Sequence, residues 1–239
     1  MKLHKLNHTV LTAFLAVSAL GVALQASAQD IIWGSATGIT GDANLAAGVY
    51  YDGFLPNTGT PAPLTADNLT FNVDAIVSST STSDGTITAT ETSGALNNYN
   101  SSSFPSASPS SSAFAAVMNA GGIYQDGGTG AGTVTITGLT PGQSYEVQVF
   151  NYASDGDAGL TTFTSSNSVT LSNLAGSGGA NTYGEFATGT FTPSGSTETF
   201  TWAGAGSSYT VLGAIYVCIL PSDLARCKKG SRRSAPSSA

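Results

Sequence analysis

The sequence predicts an all-β domain, an antiparallel β-sandwich with one short helix. Strand formers come in short alternating runs separated by Gly, Asn, Asp and Pro, the pattern of sandwiches and barrels. Only one segment shows helical spacing. Between Thr9 and Ala225 there is no lysine, arginine or histidine. A fold built from that span has no internal ion pair and must hold by apolar burial and strand ladders.

The ends differ in kind from the middle. Residues 1–28 read as a secretory signal peptide. Lys2 and Lys5 give a positive start, Val10 to Leu24 is apolar, and Ala26-Ser27-Ala28 is a small-x-small cleavage pattern. Cleavage before Gln29 would export the rest to the cell surface or beyond, with no later segment long and apolar enough to span a bilayer. Residues 218–239 read as a basic disordered tail holding Lys228, Lys229, Arg232 and Arg233 among Ser, Pro and Gly. Cys218 and Cys227 are close enough in sequence to pair in an oxidising compartment. The remaining stretch, 29–217, is about 190 residues and suits one β domain or two small ones.

Within it, Ile31 to Gly34, Gly48 to Phe54, Leu69 to Ser78 and Gly85 to Thr92 have strand character. The Ser/Asn/Pro stretch between Gly94 and Ser112 has no periodicity and reads as a long surface loop. A short helix should follow, capped by Ser112 and ended by Gly121 or Gly122. Its Phe114, Val117 and Met118 have the spacing of a core-facing stripe. Gly132 to Leu139 alternates, with Val134 and Ile136 on one face. The turn Thr140-Pro141-Gly142-Gln143 leads to a strand with Tyr145, Val147 and Val149 on one face. Tyr183 to Thr192, Ser196 to Ala203 and Ser208 to Val217 supply three more strands. Glu146 and Glu198 fall at outward positions of this alternation.

The segment Gly138 to Phe150, GLTPGQSYEVQVF, resembles the corner of a fibronectin type III module. The same Leu-x-Pro-Gly-x-x-Tyr-x-Val turn is similar to one in galactose-binding and malectin-like modules of jelly-roll type. Tyr209 to Val217 looks like their closing strand, and Asp30 to Leu45 like their opening. The resemblance implies a single jelly-roll over 29–217 of a secreted bacterial kind. A boundary near Gly127 to Gly130 would instead make two modules.

The chemistry left to such a chain is narrow. With no histidine in the mature chain and both cysteines near its end, triads and zinc sites fail. Of the chain's 14 carboxylates all but Asp223 lie between Asp30 and Glu198, and they repel nucleic acid. A carboxylate pair for glycoside hydrolysis is the one catalytic option, and nothing in the sequence brings two together. Acidic loops without cations suit calcium. Asn151, Asp155 and Asp157 of NYASDGDAG are the candidate ligands, though Asp-Gly is also an ordinary turn pair. Thr40 to Asn44 is a second candidate loop. A neutral glycan or cell-surface polymer would not be repelled, and Trp33, Tyr183 and Trp202 are the candidate stacking residues, tryptophans in a sandwich being common in its core as well. The expected function is therefore non-catalytic: an extracellular module, glycan-binding or structural, with a carboxylate glycosidase as the rival.

Overall fold

The computed structural model describes residues 29–56, 63–74, 80–92, 97–99, 104, 111–120, 122–126, 130–152, 159–172, 183–205 and 209–221. They form two large sheets packed face to face, a small third sheet and one helix.

The first large sheet holds β1 (Gln29–Trp33), β2 (Thr37–Gly38), β3 (Val49–Pro56), β4 (Leu64–Ala66), β5 (Leu69–Asp74), β11 (Tyr145–Asn151), β14 (Glu185–Thr192) and β17 (Ala214–Ile219). Its order is β1-β14-β11-β17-β3-β5-β4, with β2 pairing on β14. The second holds β6 (Ser81–Ser83), β7 (Ile87–Glu91), β10 (Ala131–Thr137), β12 (Leu160–Thr164), β13 (Ser168–Ser172) and β15 (Thr197–Gly204). Its order is β13-β12-β15-β10-β7-β6. Reading β3, β10, β11, β12, β13, β14, β15 and β17 in turn, the chain crosses repeatedly between the sheets. This gives the central orders β14-β11-β17-β3 and β13-β12-β15-β10, which is jelly-roll topology. Both halves of the sequence contribute strands to both sheets. The pairing is antiparallel except for β3 with β5.

The corner between β10 and β11 forms as its residues dictate. Gln143 N–H donates to Thr140 O at 3.1 Å, and Gly142 takes φ +79°, which only glycine adopts without strain. Thr140 N–H donates to the Tyr145 hydroxyl at 2.9 Å, tying the strand back onto its turn. The core between the sheets contains Trp33, Phe54, Val134, Ile136, Val147, Val149, Phe163, Phe200, Trp202 and Val217.

A second apolar layer covers the other side of the eight-stranded sheet. Helix α1 (Ser112–Asn119) lays Phe114, Val117 and Met118 there with Phe71, Phe150, Tyr152 and Tyr216. Its cap is Ser111, one residue earlier than expected, because that hydroxyl reaches Phe114 N–H at 3.1 Å. Strands β11 and β17 are therefore covered on both faces, and their burial is nearly continuous.

Several elements differ from the expectation: β12 and β13 form a hairpin where no strand was expected. The closing strand is two strands: β16 (Tyr209–Leu212) pairs with β9 (Gly122–Asp126), while β17 pairs with β11 and β3. The break falls at Gly213, where a side chain would collide with the Phe150 carbonyl. A short strand, β8 (Asn97–Tyr99), lies within the expected surface loop and pairs with β9. β17 also runs to Ile219, two residues into the expected tail.

Candidate functional site

Both tryptophans lie in the core. Trp33 is 4% exposed and Trp202 is fully buried. Trp33 meets Phe200 edge-on at 5.3 Å and Phe163 at 6.1 Å. Trp202 packs over Gly132, where a Cβ would run into the indole ring. Neither indole N–H has a hydrogen-bond partner among the described residues. Tyr183 is half-buried against Phe104, with ring centroids 5.3 Å apart. The three expected stacking residues thus share no surface, and Tyr183 alone keeps part of its ring in solvent.

Asn151 is buried and its carboxamide holds backbone. Nδ2 donates to Val211 O at 2.9 Å and Oδ1 accepts from Gly213 N–H at 3.2 Å. Thr161 joins from the opposite sheet, donating to the same Val211 oxygen at 2.8 Å. Together they fasten β16 to the two large sheets. Asp155 and Asp157 lie outside the described residues. The second expected calcium loop is a single 3-10 turn, Asp42–Asn44, closed by its own side chains. Asn44 Oδ1 accepts from Thr40 N–H at 2.6 Å and Gly41 N–H at 2.9 Å, and Asp42 accepts from Ser111 N–H at 3.0 Å. No three His, Cys, Asp or Glu gather around a point among the described residues.

Asp52 and Asp84 come together from the two large sheets. Asp52 on β3 is 5% exposed, and its Oδ1 accepts from Gly53 N–H at 2.8 Å and Asn72 Nδ2 at 3.0 Å. The Tyr50 hydroxyl lies 3.4 Å from the same oxygen and donates to Thr70 O at 2.6 Å. Asp84, at the β6–β7 turn of the opposite sheet, accepts Thr86 and Ile87 N–H groups on Oδ1 at 2.9 and 2.7 Å. Asn72 lies beside Asp84 as well and favours its charged form. No hydrogen bond from the described residues reaches the buried Oδ2 of Asp84. Burial is the main cause that holds the Asp84 carboxyl above its ordinary pKa, and the charge of Asp52 adds to it. Burial, then Asp52, pushes the Tyr50 phenol up to about 12.

Elsewhere, Glu198 does not point outward as the sequence suggests. It shares the face of Phe200 and Trp202 on β15, and burial raises its pKa, with Asp30 contributing. Cys218 is a free, buried thiol pushed up to about 11, first by burial and then by the charge of Glu146. Cys227 lies outside the described residues. No helix among those residues is long and apolar enough to cross a membrane.

No protein-family model, curated protein or solved structure matches the chain.

Proposed function

We infer that this is a secreted, non-catalytic jelly-roll module of the cell surface or extracellular space, recognising an uncharged partner of the neutral-glycan or cell-surface-polymer class. The observation that carries the reading is the absence of any cation or imidazole from 29–217. No histidine or lysine base, no cysteine nucleophile and no lysine or arginine anion clamp exists in that span. What remains is carboxylate chemistry, cation binding and neutral recognition. The carboxylate pair argues for structure over turnover, since Asp52 sits in the interior with its Oδ1 committed to backbone and amide donors. Export rests on the signal at 1–28, and the likeness to galactose-binding modules on the turn at 139–147.

The test is a panel of neutral polysaccharides, read for binding and for hydrolysis, with and without a calcium chelator. Binding without hydrolysis is expected. A chelator-sensitive signal would draw calcium into the reading, with Asp155 and Asp157 as the ligands to mutate. Hydrolysis abolished by Asp84→Asn or Glu185→Gln would overturn the non-catalytic assignment. Silence throughout would favour a structural envelope component.

A further inference from the structure

The outer face of the six-stranded sheet is a lattice of hydroxyl groups. Strand register places Ser81, Thr90, Thr133, Thr201, Thr164 and Ser168 in one row that crosses every strand of the sheet. Ser83, Thr88, Thr135 and Thr199 form the adjacent row, and Thr137 faces Thr197 beyond it. The other residues of this face are small or apolar: Ala131, Ala203 and Leu160 on one side of the rows, with Thr162, Thr170 and Ser172 among them. None of these positions is buried. No charged and no aromatic side chain stands on this face among the described residues.

The hydroxyls are tied to one another in register. Ser83 and Thr88 meet at 2.7 Å, Thr162 and Thr170 at 2.8 Å, Thr164 and Ser168 at 3.0 Å, and Thr135 and Thr199 at 3.4 Å. Neighbouring strands lie about 4.8 Å apart and alternate residues about 6.7 Å along a strand. The face therefore repeats one chemical group in two dimensions. Twist of roughly 20–25° per strand limits how much of it is coplanar, so the best-matched patch centres on β7, β10 and β15.

Such a face suits a partner with three properties. It must be uncharged, because the domain is acidic and yet keeps its carboxylates off this surface. It must be periodic, because a single hydroxyl contact nets only about 1 kcal/mol and many must add. It must be rigid, because a flexible chain would lose conformational freedom on docking. Threonine is stiff at χ1, so the protein side is already ordered. Crystalline polysaccharide meets these demands but is gripped through aromatic stacking, and this face has no ring.

We propose that the threonine lattice on β7, β10 and β15 binds ice, its hydroxyl and methyl groups meeting the ordered water of a crystal face. This goes beyond the glycan reading and does not depend on it, since the lattice uses none of the residues invoked there.

The test uses the purified chain in ice-recrystallisation and thermal-hysteresis assays. The wild-type chain should arrest grain growth and facet single ice crystals. Thr135→Lys with Thr199→Glu places an opposite-charge pair across two strands, which keeps the sheet paired while breaking the lattice. It should raise the concentration needed by about tenfold or more. Thr201→Lys in the adjacent row should act likewise should the double variant fold poorly. Thr190→Lys, an exposed threonine of the other sheet, should match the wild type. A wild-type chain no better than an inert protein of equal mass overturns the proposal. So do lattice variants as active as the wild type, an equal loss in Thr190→Lys, or binding to crystalline cellulose with no effect on ice.

Discussion

The two large sheets present inner faces that are both mainly apolar and outer faces of opposite character. Inside, Val147, Val149 and Val217 of one sheet meet Val134, Phe163 and Phe200 of the other. Outside, the eight-stranded sheet carries Leu55, Phe71, Phe150, Tyr216 and Cys218, and the chain covers them with α1 and Phe104. Outside the six-stranded sheet there is mainly threonine and serine, with Ala131, Ala203 and Leu160 at one end, and none of it is buried. Alternation alone fixes neither outcome. An apolar outer face recruits a helix because burying each large side chain stabilises by about 1.5–3 kcal/mol. Among the described residues no element covers the hydroxyl face, and it also lacks the Lys, Arg and Glu that usually keep a sheet face solvated.

The largest loss should come from the core that both sheets share. Trp202→Ala opens the common core and should cost about 3–5 kcal/mol, read as a large fall in the urea midpoint. Phe114→Ala strips the cover from one sheet only and should cost about 3 kcal/mol. It should also expose apolar surface that binds a hydrophobic dye, an effect that no substitution on the threonine face should produce.

Asp84→Asn acts where the two sheets meet at the β6–β7 turn. The folded-state pKa of Asp84 is raised, so its contribution to stability is fully present below the ordinary carboxylate pKa and is lost as pH rises through the raised value. The asparagine cannot ionise, and it keeps an oxygen for the Thr86 and Ile87 N–H groups. The variant should be the more stable at pH 7 by up to about 1 kcal/mol, because solvent screens a part-buried group. Its advantage should vanish near pH 3. Thermal melts across that range check the crossing, and an advantage that grows on acidification would contradict it. Glu198 is raised in the same sense, so some pH dependence should persist. Last, Thr135→Lys with Thr199→Glu should leave stability within about 0.5 kcal/mol of the wild type, the smallest effect on folding from a change aimed at the binding face.

Much of the fold was legible in the residues. The Pro141-Gly142 turn, the alternation of β10 and β11 and the apolar stripe of α1 each follow from local patterns. The split at Gly213 was hidden because the apolar run on either side is unbroken, and only the neighbouring Phe150 carbonyl demands the glycine. The Asp52, Asn72 and Asp84 cluster joins three segments from both sheets, so no spacing announces it. The lattice was half legible: TVTIT at 133–137 and TETFT at 197–201 each show threonine at every second position. That Thr133 faces Thr201 and Thr135 faces Thr199 is a matter of register, which is set by the whole sandwich. Trp33 and Trp202 were candidates for sugar stacking by type and for the core by the habit of sandwiches, and strand parity puts both in the core.

The contrast between a covered face and a bare one is tested most directly by freezing a dilute solution slowly and measuring how the protein partitions. The wild-type chain should be taken into the growing ice and the Thr135→Lys, Thr199→Glu variant should stay in the liquid. Exclusion of the wild type from the ice, or equal uptake of both chains, would contradict it.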